Sequence, residues 1–307
     1  MHEGDHGAES VGNLVESPVI DPKWHDVNYL SIDVEDWFQV TNYAKAIPRS
    51  QWDQVESRLS SSVPNLLRLL DEYDVRATFF VLGCVAERQP DLVRQIADHG
   101  HEIASHGYDH RPVYGMSEAE FRDDLEKSLV ILSRHTRSEV IGFRAPDFSI
   151  DATSRWAFSV MAELGIRYDS SANPIRGRRY GSRDALICPT EIATPSGIVT
   201  EFAIATWVLS GVRIPVGGGG YFRLLPYSLT AMGIRNLNRN GVPAVFYLHP
   251  WEIDPDQPIP TGVSLGRRWK HRVNLRHTET KLRRLLQEFR WQPLRRGLPP
   301  GNVEVGG

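Results

Sequence analysis

Short runs of apolar residues alternate along the chain with longer segments in which apolar residues recur at helical spacing. The runs with the character of buried strands are YLSIDV, ATFFVL, HEIAS, VIGFRAP, IRYDSS, IVTEFAIA and AVFYLHP. Between them, helical periodicity covers SVPNLLRLLDEY, PDLVRQIADHG, SEAEFRDDLEKSLVILSRH and TSRWAFSVMAELG. This alternation predicts repeated βα units and therefore an α/β fold built on parallel strands.

Several boundaries of the predicted helices carry residues that favour a helix start or stop. Ser117 followed by Glu120 matches the capping box that satisfies the first amide groups of a helix. Gly100, Gly165 and Gly241 suit the left-handed backbone that ends many helices. We therefore expect helices to end at these glycines.

Polar residues concentrate where the predicted strands end. They are Asp33, Glu35 and Asp36; His106 and His110; Arg144 and Asp147; Asp169; and His249, Trp251 and Glu252. In barrels and in open α/β sheets, ligands bind at the carboxyl ends of the parallel strands. This edge is therefore the predicted active site.

The segment LSIDVEDWFQV places three carboxylates where a core strand meets two large aromatic residues. An unpaired carboxylate in such a position costs several kcal/mol, so we expect these groups to be solvated, paired or bound to a cation. The segment SHGYDH offers two histidines, His106 and His110, that can face one point from a turn. Two imidazoles with one carboxylate leave a coordination position open, which is typical of a catalytic zinc site.

Two other motifs are excluded by their spacing. HEIASH resembles the metalloprotease motif H-E-x-x-H, but His101 and His106 are one position too far apart to meet on a helix. VGGGGYF, at Val216–Phe222, lacks the lysine and spacing of a phosphate-binding loop. We expect it to be a flexible loop on the substrate side.

The segments SIDVED, SHGYDH, GFRAPDFS, RYDSS and FYLHPWE, in this order between Asn28 and Glu252, resemble the sequential motifs of polysaccharide deacetylases of the NodB-homology type, carbohydrate esterase family 4. The tail PTGVSLGRRWKHRVNLRHTETKLRRLLQEF resembles the C-terminal extension of a subgroup associated with exopolysaccharide and exosortase gene systems. The resemblance implies a distorted (β/α)7-type barrel. It also implies a bound Zn²⁺, or another divalent transition metal such as Co²⁺, and removal of acetyl groups from sugars.

Matched position by position, the resemblance implies roles for five residues. Asp33 is the general base, Arg144 holds Asp33, and His249 is the general acid. His106 and His110 are metal ligands. A carboxylate could orient the His249 ring, as in other hydrolases. We expect Asp169 in that position, and Asp147 as the less favoured candidate.

The metal carboxylate is either Glu35 or Asp36, because DVED departs from the adjacent aspartates of the commonest family pattern. Strand alternation puts Asp33 and Glu35 on one face and favours Glu35. A sharp turn after Val34 would instead favour Asp36.

Residues beside the motifs are candidates for binding sugar, because aromatic faces stack on the C–H faces of sugar rings. The predicted substrate-binding residues are Trp37, Tyr108, Pro146, Tyr221 and Trp251.

The 307 residues carry a formal charge of −3, which gives no general field to attract nucleic acid. Basic patches at Arg176–Arg179 and Arg267–Arg272 are local and are interpreted as solvated surface. The two cysteines do not require a disulfide, and the start lacks the pattern of a signal peptide, so we expect a cytoplasmic protein without a transmembrane segment.

The predicted domains are a flexible leader at 1–27, a barrel at 28–254, and an extension at 255–307. The extension packs on the barrel through an amphipathic helix, Thr278–Phe289.

Together these features predict a metal-dependent hydrolase that removes N-acetyl, or O-acetyl, groups from a polysaccharide or its precursor. Association with polysaccharide-synthesis machinery is a further expectation. Two alternatives remain at this point: an allantoinase-like amidohydrolase acting on a small amide, and a catalytically silent carbohydrate-binding barrel.

Overall fold

A computed structural model describes residues 14–18, 27–175 and 187–298. The strands are β1 (Val15–Pro18), β2 (Asn28–Val34), β3 (Thr78–Val81), β4 (Glu102–Ser105), β5 (Gly142–Phe143), β6 (Tyr168–Asp169), β7 (Thr190–Thr194), β8 (Gly197–Glu201), β9 (Thr206–Leu209), β10 (Val212–Pro215), β11 (Val245–Leu248) and β12 (Trp291–Gln292). The α-helices are α1 (Leu59–Glu72), α2 (Gly83–Arg88), α3 (Pro90–Asp98), α4 (Glu118–Ser133), α5 (Ala157–Glu163), α6 (Gly219–Leu224), α7 (Tyr227–Arg239), α8 (Leu265–Arg272) and α9 (Leu275–Glu288).

The centre of the molecule is a ring of parallel strands in the order β11, β2, β3, β4, β5, β6 and β8. The ring closes through the irregular segment Phe202–Ala205. The amide of Ile204 donates to the carbonyl of Ala172 on one side, and the amide of Ala205 donates to Val245 on the other. Seven strands closed in this uneven way confirm the predicted distorted (β/α)7-type barrel.

Strand β2 lies between β11 and β3, and all seven of its residues are buried. This explains why its sequence is almost continuously apolar until Asp33. The first two residues of β2, Asn28 and Tyr29, also pair with β12, so the chain's last described strand lies against the same strand that ends at the predicted active site.

The predicted helix boundaries are confirmed. Ser117 accepts a hydrogen bond from the Glu120 amide while the Glu120 carboxylate accepts from Ser117, which completes the capping box of α4. Gly100, Gly165 and Gly241 all have left-handed φ angles, of 79°, 82° and 72°.

The glycine-rich segment VGGGGYF differs from the predicted flexible loop. The Tyr247 amide donates to the Gly217 carbonyl, and α6 begins at Gly219. Gly218 lies so close to β11 that a Cβ there would meet the Tyr247 carbonyl oxygen at 1.8 Å. These glycines therefore allow the backbone to approach the barrel, and they do not form a free loop.

The two ends of the described chain are joined to the barrel. Val15–Pro18, within the segment predicted to be a leader, pairs antiparallel with β7; the rest of that leader lies outside the described residues, as does the basic patch at 176–179. The predicted helix Thr278–Phe289 is α9, and it buries Leu282, Leu285 and Leu286 against the barrel.

Both cysteines are free. Within the described ranges, every helix is too short or too polar to cross a bilayer.

Candidate metal and catalytic site

The side chains of the site come from the carboxyl ends of neighbouring parallel strands. Asp33 and Glu35 lie at the end of β2, and His106 follows β4 directly. Arg144 follows β5, and His249 follows β11. Residues far apart in sequence therefore meet at the edge of the barrel predicted from the sequence.

Glu35, His106 and His110 form a compact cluster of potential metal ligands. The Nε2 atoms of both histidines lie 2.9 Å from Oε1 of Glu35. All three residues are buried, and one ligand atom from each lies within 4.8 Å of the other two. His110 has a left-handed φ of 61°, at the point where the loop after β4 bends back toward the strand.

The ligand atoms of this cluster are suited to binding a cation. His106 Nδ1 lies 2.8 Å from the Arg144 carbonyl oxygen, to which it can only donate. In the neutral ring, Nε2 is then an acceptor, yet it faces a carboxylate oxygen, which is also an acceptor. Two acceptors in contact in a buried site need a positive charge between them, and a backbone carbonyl that fixes the histidine tautomer is typical of metal ligands.

The electrostatics of the cluster agree with this fit. Burial raises the pKa of Glu35, but the charges of His110 and His249 and the hydrogen bonds from the cluster histidines outweigh burial, so the pKa lies well below its usual range. Burial lowers the pKa of His110, and the nearby Glu35 carboxylate raises it above its ordinary value. The pocket therefore keeps a carboxylate ionised and attracts positive charge.

Asp33 is held by a fully buried arginine. Arg144 Nη1 donates to Asp33 Oδ1 at 2.6 Å and to Ser31 Oγ at 2.8 Å. Its Nε and Nη2 donate to the carbonyl and hydroxyl of Ser170, and its guanidinium lies 4.2 Å from the centre of the Phe80 ring. The structure thus places Arg144 against Asp33, as the resemblance implies. With each of its three nitrogens used, Arg144 fixes Asp33 in one orientation.

His249 faces both carboxylates of β2. Its Nε2 lies 4.0 Å from Asp33 Oδ2 and 3.9 Å from Glu35 Oε1. Burial lowers the pKa of His249, yet the charges of Glu35, Glu252 and Asp33 and the hydrogen bond with Glu252 outweigh burial and raise the pKa to about 9. This site therefore favours the protonated imidazole.

The carboxylate that orients His249 is Glu252, which differs from the expected Asp169. Glu252 Oε1 accepts from His249 Nδ1 at 2.8 Å, and its Oε2 accepts from Arg223 Nε at 2.7 Å. The sequence contained a signal for this contact: in HPWE, proline follows the histidine and glutamate lies three positions after it, as at a capped helical turn.

The other two aspartates have different partners. Asp169 accepts from the hydroxyl and amide of Ser171 and from Glu201, whose pKa burial and the nearby Asp169 raise well above its usual range. Asp147 accepts from Thr41 Oγ1. Neither carboxylate takes the position against His249 that the sequence predicted for it.

Asp36 lies apart from the ligand cluster. Its carboxylate accepts from the amides of Trp37 and Arg58, and so holds the chain at the start of α1. The chain does turn after Val34, with the Glu35 amide donating to the Asp33 carbonyl, but Glu35 and not Asp36 points to the histidines.

The predicted sugar-binding residues occupy different places. Trp37 is a core residue that packs edge-on against Phe38, and Tyr108 lies outside the site, with its hydroxyl donating to Glu87. Trp251 is buried and stacks on His249 with 5.1 Å between ring centres. Two candidates remain beside these: Tyr221 is 38% exposed on α6, and Pro146 is buried near Gly107, one residue after His106.

Residues 51–168 match a family model described as polysaccharide deacetylase, and residues 170–298 match a domain of unknown function, DUF3473. A peptidoglycan-N-acetylglucosamine deacetylase of Bacillus cereus is 41% identical over 71 residues, which are 23% of this chain and 26% of that protein. A peptidoglycan deacetylase of Helicobacter pylori is 31% identical over 114 residues, 36% of each protein. The matches thus span about a quarter to a third of these relatives' lengths.

Two solved structures share the fold over most of the chain. A candidate polysaccharide deacetylase from Mycobacterium smegmatis aligns with a TM-score of 0.59 and 21% identity, over 90% of this chain and 89% of that chain. The PuuE allantoinase aligns with a TM-score of 0.57 and 15% identity, over 90% of each chain. At these identities the likeness concerns the fold, which agrees with the barrel described above.

Proposed function

We propose that this protein is a metal-dependent hydrolase that removes N-acetyl, or O-acetyl, groups from a polysaccharide or its precursor. The observation that carries the proposal is the approach of His106 Nε2 and His110 Nε2 to the same oxygen of Glu35, at 2.9 Å each, beside an arginine-held Asp33. The match of residues 51–168 to the polysaccharide deacetylase model supports the acetylated sugar as substrate.

Glu35, His106 and His110 would hold the metal, and two imidazoles with one carboxylate favour zinc. A zinc ion with three protein ligands supplies a Lewis acid for the acetyl carbonyl and lowers the pKa of a bound water to about 7.

Asp33 is the proposed base. Arg144 occupies its Oδ1, which leaves Oδ2 on the side of His249 and the cluster. As water attacks the acetyl carbonyl carbon, Asp33 takes the proton that the water loses. Arg144 pairs this carboxylate with a fixed positive charge, because a guanidinium remains charged at any working pH. A positioned base contributes about 10² to 10⁴ in rate.

His249 is the proposed acid. When the bond between the acetyl carbon and the sugar nitrogen breaks, the nitrogen needs a proton, which Nε2 of His249 gives. Its Nδ1 donates to Glu252, so Nε2 carries the proton that faces the site when the ring is charged. The proton taken by Asp33 balances the one given by His249, so the immediate products are acetic acid and the free amine, which exchange a proton to become acetate and an ammonium group.

The remaining proposals concern substrate binding, location and partners. Tyr221, which is 38% exposed on α6, is the aromatic side chain we propose for contact with sugar rings, whereas the buried Trp251 would support His249, on which its ring stacks. A cytoplasmic location and an association with polysaccharide-synthesis machinery remain predictions from the sequence.

The test combines metal analysis of the purified protein with acetate release from N-acetylglucosamine oligomers, before and after chelation. Asp33→Asn should abolish acetate release and keep the metal, since Asp33 lies outside the ligand cluster. A variant that loses its metal would contradict the division between base and ligand. Chelator-sensitive hydrolysis of allantoin in place of the oligomers would instead favour a small-amide hydrolase, and oligomer binding without any acetate release would favour a silent barrel.

A further inference from the structure

We propose that the outer face of α8 binds the surface of an anionic lipid bilayer. Two large apolar side chains of this helix face solvent: Leu265 is 81% exposed and Trp269 is 63% exposed. They are four residues apart and so lie on the same side of the helix. We call Leu265, Arg267, Trp269 and Lys270 the α8 patch.

The opposite face of α8 is firmly attached to the barrel. His271 is buried, and its ring stacks on Trp251 with 4.2 Å between ring centres. Its Nε2 lies 2.7 Å from Oε1 of Gln257, and its carbonyl accepts from Arg223 at 2.6 Å. The helix is therefore fixed by its inner residues. The exposed Leu265 and Trp269 contribute little to this attachment, so another reason is needed for two large apolar side chains in water.

The charge of the α8 patch identifies the partner. The helix LGRRWKHR contains no acidic residue, and its Arg267 and Lys270 are both exposed. Arg276, in the first turn of α9, is a further exposed basic residue. The whole chain carries a formal charge of −3, so this concentration of positive charge is local. It complements an anionic surface.

An anionic bilayer fits this combination better than a sugar polymer does. Tryptophan and leucine between basic residues are typical of helices that lie at the boundary between lipid headgroups and acyl chains. An acidic polysaccharide would use the flat face of Trp269, but Leu265 has no flat face to stack on a sugar ring. With 8 residues, α8 is far shorter than the roughly 20 residues needed to cross a bilayer, so it would lie on the surface.

The position of α8 links this surface to the candidate site. Trp251 stacks on His271 of α8 and on His249 of the candidate site. Two ring contacts therefore connect α8 to His249. If the proposed function holds, membrane binding through α8 would keep the site near the lipid surface, where a lipid-linked glycan precursor would be found. The binding itself does not depend on catalysis and is tested without it.

The experiment measures sedimentation of the full chain with vesicles of phosphatidylcholine alone or of phosphatidylcholine mixed with phosphatidylglycerol. We expect the protein to bind the mixed vesicles only, and to be released by added salt. Leu265→Ala with Trp269→Ala should weaken binding at least about tenfold. Arg267→Gln with Lys270→Gln should weaken it about 25-fold, at about fivefold for each charge.

Two control variants alter exposed residues on other helices. Met232→Ala removes an apolar side chain that is 49% exposed on α7, and Arg68→Gln removes a charge on α1. Both should bind vesicles as the unaltered protein does. All variants change exposed residues, so their thermal midpoints should match that of the unaltered protein. Transfer of Trp269 into lipid should also shift its emission to the blue, seen as the difference from Trp269→Phe.

Four results would overturn the proposal. The unaltered protein could fail to bind mixed vesicles, or the Leu265 and Trp269 double variant could bind them equally well. The same variants could leave vesicle binding intact while they abolish retention on an acidic polysaccharide, which would identify a sugar-binding surface. Sedimentation of the protein alone could show a dimer that the double variant dissociates, which would identify a second copy as the partner.

Discussion

Replacing Glu252 with glutamine tests whether one carboxylate both positions His249 and neutralises Arg223. Glu252 accepts from His249 Nδ1 at 2.8 Å on one oxygen and from Arg223 Nε at 2.7 Å on the other. Glutamine has the same shape, but its NH₂ group must replace one of the two oxygens. It would then place a donor against a donor, whichever way the amide turns.

The effect on stability follows from burial. The side chains of Arg223 and Glu252 are 4% and 1% exposed, so the substitution leaves a buried guanidinium without its counter-charge. Removing one partner of a buried ion pair costs about 3 to 5 kcal/mol. Arg223 also donates to the carbonyl of His271, which remains, so we expect about 3 kcal/mol, the lower end of that range. Urea unfolding measures this loss, and Glu252→Asp, which keeps the charge, should lose less.

The effect on activity separates positioning from folding. With Glu252→Gln, His249 loses the acceptor that fixes its ring, so kcat for acetate release should fall by about 10² to 10⁴ while KM changes little. Metal content should remain unchanged, because Glu252 lies outside the ligand cluster. A variant that loses stability as expected but keeps its kcat would refute the positioning role of Glu252. Loss of metal would show that Glu252 acts on the cluster and not on His249.

Three further predictions follow from other parts of the structure. His106→Ala and His110→Ala should each lower metal affinity by more than about 100-fold in equilibrium dialysis, since even residues that only support metal ligands contribute 10-fold to 100-fold. Asp124→Asn should raise the free energy of unfolding by about 3 kcal/mol above pH 6 and by nothing below pH 4. Burial raises the pKa of Asp124 to about 6. Between pH 4 and pH 6 the unfolded chain loses this proton while the folded protein keeps it, so the folded state becomes less stable relative to the unfolded state as pH rises, and asparagine removes this effect. Gly218→Ala should destabilise the protein by about 3 kcal/mol or more, because the added methyl meets the Tyr247 carbonyl oxygen and the φ angle is 114°.

Matched variants make these outcomes decisive. Asp123→Asn changes the exposed neighbour of Asp124 and should leave the pH dependence of unfolding unaltered; an equal effect of both substitutions would contradict the burial argument. Gly115→Ala adds a methyl group into open space and should be tolerated, unlike Gly218→Ala. A metal-loaded His106→Ala or His110→Ala variant would refute the ligand assignment.

Local sequence patterns were sufficient for the elements of the barrel but not for its closure. The capping box at Ser117 and the left-handed Gly100 depend on residues a few positions apart, so a single segment encodes them. The pairing of β1 with β7 and the closure through Phe202–Ala205 depend on backbone contacts between distant segments. Such contacts leave no periodicity in either segment, because the hydrogen bonds involve main-chain atoms that every residue has.

In the candidate site, the same distinction separates what was predicted from what was missed. Alternation along β2 favoured Glu35 over Asp36, and the structure places Glu35 with the two histidines although the strand ends at Val34. Asp36 is absent from the cluster because the amides that begin α1 hold it, and that contact crosses 22 residues. Trp37 was expected on a sugar platform, but an aromatic residue beside a motif has the same local pattern whether it faces the core or the groove.

The two family matches each cover part of the candidate site, and Asp33 and Glu35 precede both matches. The polysaccharide deacetylase match includes His106, His110 and Arg144, whereas His249 and Glu252 lie in the segment matched as a domain of unknown function. That second segment also supplies β8 and β11, without which the ring of parallel strands would stay open. It therefore forms part of the barrel and is not an appended module. His271 of α8 stacks on Trp251, which in turn stacks on His249. A substitution in this segment can therefore alter the surroundings of His249 while His106 and His110 remain in place. Measuring metal content and kcat together in such variants would distinguish an effect on His249 from an effect on the metal ligands.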